Sequence, residues 1–140
     1  MYNKHIVEQI FSLINKSKML STIPVKINNV IRVGGYEIMP IEAGYYVIDV
    51  ERDRVIEETW TRAAALAFVR ARITNNLEDI SKIKELDKLI EKHELDSRFY
   101  KNSLAHSDSL DKTLTITTRL ELAEAITSHA KEQIREIILG

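Results

Sequence analysis

The sequence predicts an α+β fold: an N-terminal helix, a small antiparallel meander of three to four strands covered by an alanine-rich helix, and a long antiparallel helical hairpin. Three observations predict it. Apolar residues have helical spacing in residues 4–20, alternate in residues 30–58, and follow a seven-residue repeat after residue 77. Residues 1–76 and 77–140 are therefore the two parts of the chain, either as one compact unit or as two subdomains.

The first helix is predicted over residues 4–20. Ile6, Ile10 and Ile14 recur at steps of four, and Asn3 can cap the first turn. Pro24 ends this region, because a proline disfavours helical geometry in the residue before it.

Residues 30–58 have the composition of a strand meander. Gly34 and Gly35 accept the positive φ angles of a tight hairpin turn, and polar turns follow at residues 42–44 and 51–54. Connections this short favour antiparallel pairing. The predicted strands are residues 30–33, 36–41, 45–50 and 55–58.

An alanine-rich helix follows the meander over residues 62–73, with Thr61 as its N-cap. A small sheet has one apolar face that needs a cover, and alanine lets a helix approach a sheet closely. We expect this helix to lie across the sheet, with Trp60 filling one end of the contact.

The rest of the chain predicts a helical hairpin. Asn76, with Asp79 three residues later, marks a helix start, and the polar residues 107–109 separate two arms. Each arm has about 30 residues, or roughly 45 Å of helix. One bent helix is the alternative, because the break contains no glycine or proline. The predicted contact positions between the arms are Ile83, Leu86, Ile90, His93, Ser97, Tyr100 and Leu104 in the first, and Ile116, Leu120, Ala123, Thr127, Ala130, Ile134 and Ile137 in the second.

Composition limits the classes of function. The chain has 140 residues, 44% hydrophobic and 29% charged, with a net charge of −1 and no cysteine. These values predict a folded domain with no disulfide, cysteine metal site or strong attraction to polyanions. The longest apolar run, residues 63–69, is far shorter than the ~20 residues that cross a bilayer. We expect a location in the cytoplasm, with no membrane partner.

The sequence predicts no enzyme, cofactor or metal site. It contains no HExxH zinc motif, no Walker phosphate loop and no GxSxG elbow. Asp49 and Glu51 could hold Mg²⁺ as in a metal nuclease, but the lysine that such sites usually add is missing. Polar strand edges and a turn explain these two residues as well. The histidines, which form no metal-ligand pattern, are His5, His93, His106 and His129.

Nucleic-acid binding is the alternative function. Arg62, Arg70 and Arg72 occupy a segment without acidic residues, although arginines on an exposed helix face explain them equally well. Small modules of strands and one helix read DNA through an open sheet face. Here that face would carry Tyr36, Tyr45, Tyr46, Arg32 and Arg52.

Protein–protein contact is the leading interpretation. The second arm of the hairpin carries more apolar surface than one partner helix needs, which is typical of an assembly surface. Packing within the chain is the simpler explanation for part of it. The expected partner is the chain itself or another protein. The candidate contact residues are Leu122, Ile126, Ile134, Ile137 and Ile138.

The order of these parts resembles small, uncharacterised proteins of tailed phages that infect marine bacteria. Those proteins combine a short sheet, an alanine-rich helix and a terminal helical arm with an aromatic pair like Phe99-Tyr100. The resemblance covers residues 30–140 and includes no catalytic motif and no site residues to transfer. It implies a structural or assembly component, located in the host cytoplasm with the virion as a further location.

Overall fold

The computed structural model describes residues 25–27 and 29–140, so the predicted first helix, residues 4–20, lies outside the described residues. Within the described residues a sheet comes first and three helices follow, which confirms the α+β class. The strands are β1 (Val25–Ile27), β2 (Val30–Val33), β3 (Tyr36–Ile41), β4 (Gly44–Asp49) and β5 (Arg54–Thr59), and the helices are α1 (Arg62–Ile73), α2 (Leu77–Ala105) and α3 (Leu110–Leu139).

The sheet is an antiparallel meander in which each strand pairs with the next one in the sequence. Gly34 has a φ of 58°, as expected for the tight turn between β2 and β3. Gly44 has a φ of 131°, and a Cβ there would lie 2.2 Å from the carbonyl oxygen of Thr59. Only glycine therefore fits where β4 begins beside the end of β5.

The four predicted strands are present as β2 to β5, but the sheet has a fifth strand that the sequence did not predict. This strand, β1, has three residues and pairs with β2 in the register Val25↔Arg32. Asn29, between the two strands, has a φ of 66°. Asparagine tolerates this left-handed region better than most residues, and the sequence prediction placed turns only at glycines and charged residues.

Helix α1 forms the middle layer of the molecule. It contacts β3, β4 and β5 as well as α2 and α3. Thr61 caps it by accepting a hydrogen bond from the Ala64 N–H at 3.1 Å, as predicted. Its alanines allow close approach to the hairpin as well as to the sheet. The buried residues of α1 are Ala64, Ala65, Ala67, Phe68, Val69 and Ala71.

Helices α2 and α3 pack against each other as the predicted hairpin. Asn76 caps α2 by accepting from the Asp79 N–H at 3.0 Å, and Ser109 caps α3 by accepting from the Lys112 N–H at 3.2 Å. The chain reverses at residues 106–109, which excludes the single bent helix. Apart from Asp87, the buried positions follow the predicted seven-residue repeat: Ile83, Leu86, Ile90 and Ser97 in α2, and Leu120, Ala123, Thr127, Ala130 and Ile134 in α3.

Within the hairpin, the buried residues of the main hydrophobic core lie in residues 83–90 of α2 and 130–134 of α3. One cluster of buried residues runs from the sheet through α1 to the helices, across the predicted boundary at residue 76. Its last buried member along α2 is Ile90, and its first in α3 is Ala130. Residues 91–129, which we call the distal hairpin, therefore extend beyond the main core.

Candidate functional site

The predicted partner-contact residues do not form one surface. Leu122 is 62% exposed and Ile126 is half-buried, but Ile137 and Ile138 pack against the core. Ile134 is fully buried, so its assignment as a partner contact is wrong. It lies seven residues after Thr127 and therefore shares the stripe of α3 that faces the rest of the protein.

Exposed apolar side chains are instead concentrated on the distal hairpin. They lie on both helices and are between 46% and 73% exposed. Of the leucines among them, only Leu122 was predicted as a contact residue, although the four-residue step from Leu110 to Leu114 on α3 was visible in the sequence. The exposed set consists of Leu95, Phe99, Leu110, Leu114 and Leu122.

Two buried positions between the arms of the distal hairpin carry small polar side chains. Ser97 and Thr127 are buried there, and both hydroxyls bond within their own helix: Ser97 Oγ donates to the His93 carbonyl at 2.8 Å, and Thr127 Oγ1 to the Ala123 carbonyl at 2.9 Å. Small, locally bonded side chains contribute little apolar contact between helices. The inside of the distal hairpin thus combines small or polar residues with Leu120, while several large apolar side chains lie on its outside.

The three arginines of the nucleic-acid alternative are exposed but separated. Arg62, at the start of α1, lines a groove of about 530 Å³ with Trp60 and Arg98. Arg70, near the end of α1, lines a different groove of about 460 Å³ that also includes Asp79. Eight residues of helix hold the two arginines about 12 Å apart along the axis. They do not form one basic surface.

Three side chains of the sheet face that was predicted to be open are buried or pack against the core. Arg32 is 7% exposed and lies beside the fully buried Glu37, with 3.9 Å between the Nη1 and Oε1 atoms. Tyr36 and Tyr45 pack against the core. Arg32, Tyr36 and Tyr45 are therefore not arranged to stack on bases, which counts against the sheet-face version of nucleic-acid binding.

A buried carboxylate holds the start of α1 against α2. Asp87 Oδ2 accepts from the Trp60 N–H at 2.7 Å, and Oδ1 accepts from the Thr61 N–H at 3.1 Å and its hydroxyl at 2.9 Å. Burial raises the pKa of Asp87 above its ordinary value of 3.8, although these hydrogen bonds oppose the rise. Asp87 is a structural connection that sequence analysis did not identify.

Trp60 lies between this connection and the surface groove. The Arg98 guanidinium is 5.7 Å from the centre of the Trp60 ring, within the range of a cation–π contact. Glu42 and Glu94 also line the groove, so its charge is mixed. This arrangement favours structural packing at the start of α1 over capture of a polyanion.

Of the two acidic residues considered for a nuclease, Asp49 stabilises a turn. Both oxygens of Asp49 interact with Arg52: Oδ2 accepts from the guanidinium at 2.8 Å and Oδ1 from the backbone N–H at 3.2 Å. Burial alone raises the pKa of Asp49, but the hydrogen bonds and charge of Arg52 outweigh it, so the pKa lies below 3.8. Glu51 is exposed in the same turn.

In residues 25–27 and 29–140 there is no group of three or more histidine or acidic side chains that could hold a metal ion. His106 and His129 are exposed, and His93 Nδ1 lies 3.9 Å from an Asp96 carboxylate oxygen. His5 lies outside the described part. Among the helices of that part, none combines the length and apolarity needed to cross a bilayer.

Comparison of the chain with protein-family models, with curated proteins and with solved structures finds no match in any of the three. The resemblance to phage proteins therefore stays a prediction.

Proposed function

We propose that this protein is a non-enzymatic structural or assembly component, of the kind that phages encode, and that it acts through protein–protein contacts of its distal hairpin. The observation that supports the proposal is the set of exposed Leu and Phe side chains on a segment that extends beyond the core. A concentration of exposed apolar side chains on one segment of a folded protein is typical of an interaction site.

The energetics of the distal hairpin favour an external contact. Full burial of a leucine or phenylalanine side chain contributes about 1.5–3 kcal/mol. The core cluster cannot supply that burial, because its buried members end at Ile90 in α2 and begin again at Ala130 in α3. A protein that packs against residues 91–129 would bury these side chains and stiffen a hairpin whose buried positions include Ser97 and Thr127.

Nucleic-acid binding has less support. Arg62 and Arg98 flank Trp60, which could stack on a base, but two glutamates share that groove. The net charge of −1 supplies no general attraction to phosphate. Arg70 and Arg72 add nothing to the same groove.

The proposal predicts that the chain associates through the distal hairpin. Light scattering coupled to size exclusion should give a molar mass above the 16.1 kDa of the monomer at tens of micromolar. Replacing Leu95, Phe99, Leu114 and Leu122 by glutamine should return the chain to the monomer mass, since it removes the apolar contact.

A second variant controls for general loss of apolar surface. Leu77→Gln and Leu139→Gln change side chains that are 72% and 76% exposed but lie outside the distal hairpin. This control should associate as the wild type does. A wild-type chain that stays monomeric across this concentration range, or equal loss of association in both variants, contradicts the proposal.

A further inference from the structure

One row of side chains on α3 has a pattern that is symmetric about Thr118. Residues four apart are neighbours on a helix surface, so positions 110, 114, 118, 122 and 126 form a continuous ridge. Leu114 and Leu122 lie one step on either side of Thr118, and Leu110 and Ile126 lie two steps away. The central threonine is thus flanked in both directions by large aliphatic residues.

Four of the five side chains of this row are exposed, on the side of α3 opposite its buried stripe. Leu110 is 73% exposed, Leu114 57% and Leu122 62%, while Thr118 is exposed and Ile126 half-buried. The Thr118 hydroxyl donates to the Leu114 carbonyl at 2.9 Å. It therefore needs no other partner if another protein covers the row.

We propose that the row binds the same row of a second copy of this chain, antiparallel, with the two-fold axis passing at Thr118. The proposal rests on the assembly function and identifies the partner. A two-fold interface uses one surface twice and requires that the surface be complementary to itself. In this arrangement Leu114 packs against the partner's Leu122, and Leu110 packs against the partner's Ile126.

The geometry of helix packing allows this contact. Rows of residues four apart are inclined by about 26° to the helix axis, so two such rows align when the helices cross at about 50°. The antiparallel sense also places the two sheets at opposite ends of the pair, because the core that joins α3 to the rest of the protein lies beyond Ala130. The symmetry of the row about Thr118 affects the contact only in the antiparallel pair. In a parallel pair each residue of the row would lie against the same residue of the other copy.

The charges on one side of the row are complementary in the antiparallel pair. Positions 111, 115 and 119 form the neighbouring ridge, and Thr115 lies beside Thr118 because residues three apart are also neighbours. The two-fold axis places this ridge beside the same ridge of the partner, which runs in the opposite direction. Thr115 lies near the axis. Asp111 of one copy then lies beside the partner's Arg119. Both side chains are exposed, so two intermolecular ion pairs result.

The other side of the row carries one contact that opposes association. Glu121 is three residues after Thr118, so it also lies near the axis and faces the partner's Glu121. Two ion pairs thus act against one contact of like charges. In a parallel pair Glu121 would lie beside the partner's Arg119 instead. Glu121 therefore opposes dimerisation in the antiparallel pair and favours it in the parallel pair, which distinguishes the two arrangements.

Cysteine cross-linking tests the position of the axis. The chain has no cysteine, so Thr118→Cys introduces a single thiol at the point where the two copies meet. Mild oxidation should convert this variant to a disulfide-linked dimer. Ser128→Cys, exposed on the same helix but outside the row, is the matched control and should remain largely unlinked. Equal linking of the two variants overturns the proposed axis.

Mixed cross-linking tests the direction of the row. Leu114→Cys and Leu122→Cys, one of them carrying a longer affinity tag, are combined in equal amounts and oxidised. The antiparallel pair should give mainly the mixed dimer, which the tag identifies by its mobility in a non-reducing gel. Linking of each variant mainly to itself would show a parallel pair and overturn the proposal.

Charge reversal tests the ion pairs. Arg119→Glu and Asp111→Lys should each weaken dimerisation about tenfold, because both ion pairs are replaced by contacts of like charge. An equimolar mixture of the two variants should dimerise as the wild type does, since the mixed dimer again pairs opposite charges at both contacts. If both variants dimerise normally while the glutamine variant of the distal hairpin stays monomeric, antiparallel pairing is wrong and the assembly surface remains.

Removing the charge of Glu121 tests whether the pair is antiparallel or parallel. Glu121→Gln should strengthen dimerisation by up to about threefold, because the contact of like charges at the axis disappears. Glu124→Gln removes the same charge from an exposed position further from the row and is the control. Analytical ultracentrifugation measures both dissociation constants. Weaker dimerisation of the Glu121 variant would favour the parallel pair.

Discussion

Asp87 connects two layers of the protein through a single carboxylate. It lies on α2 and accepts three hydrogen bonds from Trp60 and Thr61, at the point where β5 ends and α1 begins. The carboxylate therefore satisfies backbone donors at the start of α1, in addition to the Thr61 cap. A buried acceptor with two separate oxygens is well suited to donors that converge from two residues.

We expect Asp87→Asn to destabilise the fold by about 1–3 kcal/mol, because an amide must direct its NH₂ group at one of these N–H donors. Asp96→Asn, on the same helix and partly exposed, is the control and should change stability by less than about 0.5 kcal/mol. Urea denaturation measures both. Equal stability of the Asp87 variant and the wild type would mean that the hydrogen bonds contribute nothing net.

The contacts that Asp87 and Arg98 make with residues distant in the sequence could not be predicted from the sequence. Asp87 is 26 residues from Thr61 in the chain, and its position in α2 looks like an ordinary polar residue of an amphipathic helix. Arg98 is recognisable as a Trp60 contact only when α2 is placed beside α1. Ile134 was misassigned for the related reason that an apolar residue in a repeat can face a partner or the core.

At the scale of elements, residues close together in the sequence were sufficient to predict where the helices begin. Thr61 and Asn76 cap the helices that the sequence assigned to them, because an N-cap depends on residues within one turn. The hairpin follows from the seven-residue repeat in both arms. Strand β1 was missed because a three-residue strand has too few positions to show alternation.

The two halves of the hairpin should differ in local stability. In hydrogen exchange at sub-micromolar concentration, amides of the distal hairpin should exchange at least about tenfold faster than those of residues 80–90 and 130–137, because few large side chains are buried there. Raising the protein concentration should slow exchange in residues 110–126 if α3 pairs with a second copy. Uniform protection along both helices would contradict this expectation.

At the scale of the whole molecule, α1 determines whether the sheet and the hairpin behave as one unit. Ala65 and Ala67 have no exposed surface, and the helix that carries them contacts both layers. Small side chains at these positions set how closely the three layers approach. A larger residue there has no free space to enter, because protein interiors are packed at the density of organic crystals.

Ala67→Leu should therefore destabilise the protein by about 1–3 kcal/mol through overpacking. Arg72→Leu adds a similar side chain at an exposed position of the same helix and should shift stability by no more than about 0.5 kcal/mol. Trp60, the only tryptophan, reports on the sheet end of α1, while far-UV circular dichroism reports mainly on the long helices. Because one core cluster joins these parts, both signals should move to lower urea concentration together. A variant in which the tryptophan transition moves and the helical transition does not would show that the hairpin unfolds independently of the sheet.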